Sequence, residues 1–292
     1  MNSPGLSWHG YPTSANVSLL FTEVPYLERF AAAAAAGFTA VETWWPFPTA
    51  SPSRAEVDEL LDTIESAGLS LTGMNVFAGD MAGGERGIAC LPERAGELDA
   101  SLAALRSIAE RTGCRGFNLL HGQVPNGAAG PDGTGGGAAD AIAHEAAVRS
   151  FRRAADALAD LPGSPGVVLV EPLARGLNGA YPLETAADAL ALIDEAGSQN
   201  LALLLDTFHL ARNGEDLPEL IAESAERIGH VQLADAPDRG EPGSGTVDLD
   251  AVGGALRHAG YAGTVAAEYK PTGETRSTLG WLTRRAAAEP LA

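Results

Sequence analysis

The sequence predicts an α/β fold, a closed single-domain (β/α)8 barrel. Three observations carry this. Eight short β-rich runs alternate with helix-patterned stretches, the serial pattern of βα units. Most of the runs are near-continuously apolar, as expected of parallel strands covered on both faces. The length of 292 residues suits such a barrel, which commonly runs to about 250 residues or more as one unit.

The strand candidates are ANVSLLF from Ala15, TAVETWW from Thr39, LSLTGMNVF from Leu69 and CRGFNLL from Cys114. They continue with GVVLVEP from Gly166, LALLLD from Leu201, GHVQLAD from Gly229 and TVAAEYK from Thr264. Helical stretches lie between them. PYLERFAAAAAAG opens with Pro25 in a first-turn position and stops at Gly37. The next two stop at Gly68 and Gly113, a fourth before Pro162 and a fifth at Gly197. The last helices are expected after Asp216, Asp250 and Gly273. An open doubly wound sheet is the main competitor, but no G-x-G-x-x-G follows the first strand to support its dinucleotide-binding form. The glycine-rich segment 122–137 lacks G-K-[ST] and reads as a loop over the barrel mouth rather than a phosphate cradle.

Composition narrows the function. Hydrophobic residues make up 45% and charged residues 20% of the chain, which is ordinary for a soluble globular protein. No apolar run approaches a membrane span of roughly 20 residues. A net charge of −19 without a basic stripe argues against nucleic acid as a partner. The opening MNSPGLSWHGYPTS lacks the basic and apolar regions of a signal peptide. Residues 1–13 read as an extension outside a catalytic barrel of residues 14–292. Cys90 and Cys114 are too few for a disulfide framework and point to the reducing cytoplasm. The oligomeric state stays open, a homo-oligomer included.

In such barrels the active site lies at the C-terminal ends of the strands. Strands five, six and eight end on Glu171, Asp206 and Glu268, and strand seven carries Gln232 near its end. Burying three carboxylates together is costly unless something neutralises them. Four side-chain oxygen ligands suit one hard divalent cation, Mg²⁺ or Mn²⁺, rather than zinc. Any one acidic strand end has a bland reading as a helix cap; four on consecutive strands point to a common site.

The stretches ANVSLLFTE, AGDMAGGERGIACLP, LVEP, LDTFH, GHVQLADAPDRGEPGSG and AAEYKP make the chain resemble the hydroxypyruvate isomerase family of the xylose-isomerase-like barrels. The resemblance runs from about Ala15 to Trp281. It implies a metal held by Glu171, Asp206, Gln232 and Glu268, with Glu171 and Glu268 as the catalytic acid/base pair. Glutamine at 232, rather than the histidine usual in related sugar epimerases, resembles the isomerase branch. The implied reaction converts hydroxypyruvate to tartronate semialdehyde by proton transfer through an enediolate. A 2-oxotetronate isomerase is the main alternative, since FTEVPYLERF and LDTFH lean that way. A ketose 3-epimerase fits less well. The DNA-repair endonuclease of the same barrel class would need a histidine-rich three-zinc cluster, and the six histidines here are scattered.

The substrate is then a small hydroxy-oxo acid, and its carboxylate needs a cation. Arg239 can hold a carboxylate bidentately, although a surface arginine is the plainer alternative. Lys270 is the one lysine among 19 basic residues, in a chain that uses arginine everywhere else. A remaining lysine suggests a need for a compact ammonium; chance survival is the competing account. Arg86 is a further substrate-binding candidate, with a loop salt bridge as its plain reading. The resemblance suggests that His209 reaches a substrate oxygen, and His121 ends strand four facing the same mouth. Glu42 is expected as a buried partner of arginine or lysine. Trp44, Trp45 and Phe47 read as packing around the site or at an interface. Ala174 stands where relatives often carry asparagine, a difference that bears on substrate preference.

Overall fold

A computed structural model describes residues 5–124 and 138–284. Its framework is a closed parallel barrel. The barrel strands are β2 (Tyr11–Asn16), β3 (Ala40–Thr43), β4 (Ser70–Asn75), β5 (Gly116–Asn118), β6 (Val167–Val170), β7 (Leu201–Asp206), β8 (Ile228–Leu233) and β9 (Val265–Ala267). They pair in sequence order, and β9 closes on β2 through Thr13 opposite Val265 and Ala15 opposite Ala267. A shorter strand β1 (Leu6–Trp8) pairs antiparallel with both β2 and β10 (Thr283–Arg284).

Helices cover the barrel: α1 (Glu28–Ala36), α2 (Arg54–Ser66), α3 (Ala95–Thr112), α4 (Ala138–Leu158), α5 (Ala186–Ala196), α6 (Thr207–Arg212), α7 (Leu217–Ser224) and α8 (Leu249–His258). Local chemistry sets their ends. Ser53 with Glu56 and Thr185 with Asp188 form capping boxes on α2 and α5, satisfying backbone N–H groups that a helix start leaves free. Gly197 ends α5 in the left-handed region, at φ 68°, where a side chain would be strained. Each helix turns its apolar stripe inward: α2 buries Val57, Leu60, Leu61 and Ile64 at helical spacing. None of the described helices is long and apolar enough to cross a membrane.

Three expectations are corrected. Residues 5–13 are not an extension outside the fold, because Leu6, Trp8 and Tyr11 are buried and β1 and β2 include them. The first barrel strand accordingly starts at Tyr11, and the apolar run after Asn16 turns away: Leu19 and Leu20 donate their N–H groups back to the Asn16 carbonyl. Barrel closure overrides the apolar signal, because the ladder to β9 needs the backbone of Thr13–Ala15 whatever its side chains. The helix expected after Gly273 is a single 3₁₀ turn, Thr275–Thr278. Conversely, α6 adds a helix that the sequence pattern does not predict; Asp206 starts it by accepting from the N–H groups of Phe208 and His209. Most of the glycine-rich loop, residues 125–137, lies outside the described residues.

Candidate active site

Four strand ends converge as the sequence predicts. Glu171 directly follows β6, Asp206 closes β7, Gln232 lies in β8 opposite Asp206, and Glu268 directly follows β9. All four are buried. The carboxylates are held by specific donors. Asn118 donates its Nδ2 to Glu171 Oε2 at 2.6 Å. Asn16 donates to Glu268 Oε2 at 2.9 Å, and the Trp44 indole N–H to Glu268 Oε1 at 3.2 Å. Arg239 Nη2 bridges Asp206 Oδ2 and Glu268 Oε1, each at 3.0 Å.

Charge crowding shapes the titration. Burial, reinforced by Glu268 and Asp206, holds Glu171 well above the usual carboxylate range. Burial also pushes Glu268 up to about 7, against the opposing pull of Arg239. One guanidinium thus faces three carboxylates. Gln232 turns its Nε2 toward Glu42 Oε2 at 3.4 Å, and its Oε1 is buried without a hydrogen-bond partner. An unsatisfied buried acceptor beside surplus negative charge fits a hard cation, and so does the all-oxygen donor set.

His209 also stands close, and its donor atom lies with those of Glu171 and Asp206 within 4.8 Å of one another. Its hydrogen bonding argues against ligation. The Ala174 N–H donates to His209 Nδ1 at 2.9 Å, and burial lowers the imidazole to about 3, outweighing Asp206. The ring is therefore neutral, with its proton on Nε2. That nitrogen lies 3.7 Å from Glu171 Oε1 and 3.8 Å from Asp206 Oδ2, close to both carboxylates but hydrogen-bonded to neither. Ala174, noted for lacking a polar side chain, contributes through its backbone.

Above the carboxylates opens a cavity of about 450 Å³. Glu171, His209, Arg239 and Glu268 line it, with Arg86 and Lys270. Arg86 is half-buried and anchored to Asn178 Oδ1 at 3.1 Å and to the carbonyls of Met81 and Glu85. Lys270 is exposed and leaves its backbone N–H on the Arg239 carbonyl at 2.7 Å. Arg239 itself lies in the left-handed region at φ 62°, uncommon for arginine. Its loop is pinned by Asp235, whose carboxylate accepts from the N–H groups of Gly243, Gly245 and Val247, each at 2.9 Å.

Two expectations fail in detail. His121 does not line the cavity: it is buried, its Nδ1 is 3.0 Å from the Gly122 carbonyl oxygen, and its ring stands edge-on to Tyr181. Burial lowers it to about 4. The strand ends at Asn118, so His121 falls beyond it, in an isolated antiparallel bridge to Gly87. Glu42 is buried as expected, but its partner is His230 rather than arginine or lysine, with Nε2 2.7 Å from Glu42 Oε1 in an ion contact not aligned as a hydrogen bond. Ser14 also donates to it at 3.0 Å. Trp44 lines the cavity, as its expected packing around the site implies, and the sequence does not single out Asn16, Asn118 or Asp235. Asn118 carries the signal that located the carboxylates, a polar residue in an apolar run; Asn16 does not, because β2 is polar along most of its length.

The chain matches the xylose isomerase-like TIM barrel family over residues 30–285. It belongs to that family. The hydroxypyruvate isomerase of Escherichia coli K12 is 35% identical over 269 residues, covering 92% of this chain and 97% of the relative. A provisionally named hydroxypyruvate isomerase of Streptomyces coelicolor is 40% identical over 276 residues, with coverages of 92% and 94%. A 2-oxo-tetronate isomerase of Pectobacterium atrosepticum is 31% identical, with coverages of 92% and 95%. A solved structure from Brucella melitensis, named an AP endonuclease of family 2, superposes with a TM-score of 0.81 at 32% identity, covering 93% of this chain and 97% of that one. This member of the xylose isomerase-like family is an enzyme of the isomerase class, hydroxypyruvate isomerase-like along most of its length.

Proposed function

We propose that the protein interconverts hydroxypyruvate and tartronate semialdehyde (2-hydroxy-3-oxopropanoate) in a divalent-cation-dependent aldose–ketose type isomerisation. The observation that carries this reading is the pair of buried glutamates, Glu171 and Glu268, facing one cavity whose wall also presents Arg86, Arg239 and Lys270. Glu171, Asp206, Gln232 and Glu268 would hold the cation, Mg²⁺ or Mn²⁺. When bound it supplies polarisation of the substrate carbonyl and stabilises the enediolate charge. One glutamate removes a proton from C3 and the other returns one to C2, while the hydroxyl proton of O3 passes to O2. His209 Nε2–H is placed to donate to a substrate oxygen as negative charge develops there. The basic residues of the wall suit the substrate carboxylate; Arg239 would share its guanidinium between substrate and the Asp206–Glu268 pair.

A 2-oxotetronate isomerase is the second reading. It is favoured by the relative named for that activity at 31% identity, and it uses the same residues on an acid one carbon longer. An isomerisation assay on hydroxypyruvate, 2-oxotetronates and neutral ketoses, with and without chelator, separates the readings. Hydroxypyruvate is expected to turn over best, and chelation to abolish turnover. Faster turnover of a 2-oxotetronate would select the second reading. Full activity after confirmed metal removal would sink the cation requirement. Glu171→Gln and Glu268→Gln are each expected to cost at least the roughly 10²–10⁴-fold typical of a lost acid or base, with the fold retained.

A further inference from the structure

Each proposed acid/base glutamate is gripped by an asparagine from the neighbouring strand. Asn118, the last residue of β5, reaches across to Glu171 beyond β6. Asn16, the last residue of β2, reaches across the barrel closure to Glu268 beyond β9. Both asparagines donate Nδ2, both bonds go to Oε2, and both asparagines are buried. We propose that Asn118 and Asn16 are positioning residues that fix which oxygen each glutamate presents for proton transfer; this rests on the two-glutamate reading above.

With Asn118 on Oε2, the other oxygen of Glu171, Oε1, lies 3.7 Å from His209 Nε2, and Glu171 and His209 both line the cavity. Glu268 Oε1 is turned to the Trp44 indole and Arg239. A carboxylate on a two-methylene stem can otherwise rotate and offer either oxygen, and proton transfer demands alignment at the reacting atoms. A short amide suits the task. It donates without adding charge, so the glutamate is steadied yet remains able to take a proton.

The second observation is that Asn118 serves the fold poorly. Its Oδ1 is buried without a hydrogen-bond partner, so its desolvation is uncompensated. An apolar residue of equal volume would suit the strand, whose neighbours Phe117 and Leu119 are fully buried hydrophobics. A residue that burdens the core while gripping a site carboxylate is better explained by the site. Asn16 differs in that its Oδ1 also accepts from the Ser18 N–H at 3.0 Å, so it ties the β2 turn to the same glutamate.

The test uses Asn118→Leu, which keeps the forked side-chain shape and removes the donor, with the smaller Asn118→Ala and with Asn16→Leu as independent variants. Steady-state constants at saturating Mn²⁺ are measured with hydroxypyruvate and with its C3-deuterated form, beside the Mn²⁺ Kd and the Tm of each protein. The expected result is a kcat loss of about 10–100-fold, the range usual for partners of site ligands. KM should change little, and the deuterium isotope effect should rise as proton transfer becomes slower relative to the other steps. Unchanged kcat and isotope effect in a folded Asn118 variant would overturn the proposal. So would a loss confined to KM or to Mn²⁺ affinity. Glu171→Gln, assayed alongside, keeps the two ideas apart. If it retains turnover, the two-glutamate reading fails; if it is dead while the asparagine variants are unimpaired, only the positioning role fails.

Discussion

Lys270 is the residue where composition and geometry meet. The only lysine in the chain stands exposed on the wall of the site cavity, two residues beyond Glu268. An ammonium there offers a compact charge to a substrate carboxylate, which a wider planar guanidinium does not reproduce. Lys270→Arg should therefore raise KM for hydroxypyruvate several-fold, on the order of the roughly 1 kcal/mol of a partly exposed ion pair. An unaltered KM would reduce the lone lysine to an accident of composition. Arg239 tests the same idea from deeper in the site. Arg239→Ala should lower the preference for acids over neutral ketoses and cost stability as well, because Asp206 and Glu268 lose the group that bridges them. Retained acid preference would move the carboxylate contact to Arg86.

Elements set the precision of these residues. The loop between β8 and α8 is organised from inside by Asp235, which accepts N–H groups on both sides of Arg239 in sequence, from Ala236 to Val247. Asp235→Ala should thus loosen the Arg239 loop. It is expected to weaken substrate binding while the barrel stays folded, measured as a larger change in KM than in Tm. At the other end of the chain, β1 and β10 form an antiparallel attachment beside β2. Trp8 is buried there, so Trp8→Ala should destabilise the protein by about 3–5 kcal/mol, as large aromatic truncations in a core do. A chain whose first residues were a loose extension would show a change near zero in chemical denaturation.

At the scale of the whole molecule, buried neutral histidine makes stability depend on acid. Burial lowers His121 to about 4 from the ordinary histidine value of 6.5, so the unfolded chain takes up a proton more readily than the folded one. The contribution is fully present above the unfolded value and is lost as pH falls from about 6.5 toward 4. Near pH 5 the loss from this group should be about 2 kcal/mol, from the 1.36 kcal/mol of each pKa unit. His121→Gln should flatten that part of the acid limb in urea titrations at successive pH values. An unchanged slope between pH 7 and 5 would show that His121 does not carry it. The net charge of −19 favours solubility at neutral pH and shrinks in magnitude as carboxylates protonate.

Along one strand or helix, the order of side chains is enough to place most of what matters. The alternation of apolar runs with capped helical stretches determined the barrel, and the polar ends of its last four barrel strands marked Glu171, Asp206, Gln232 and Glu268 as candidates for one site. Those signals are local, because a strand's C-terminal end and a helix's cap are written in consecutive residues. The tertiary structure alone decided what happens between strands. Only closure of β9 on β2 makes a strand of Thr13–Ala15 and brings Asn16 to Glu268. Only the register of β5 beside β6 gives Asn118 its glutamate, and only the packed interior pairs Glu42 with His230. Asn16 and Glu268 lie 252 positions apart, and no periodicity in the chain encodes a contact of that separation. It arises because a barrel must meet itself, and the residues at that seam then answer to one another's charge.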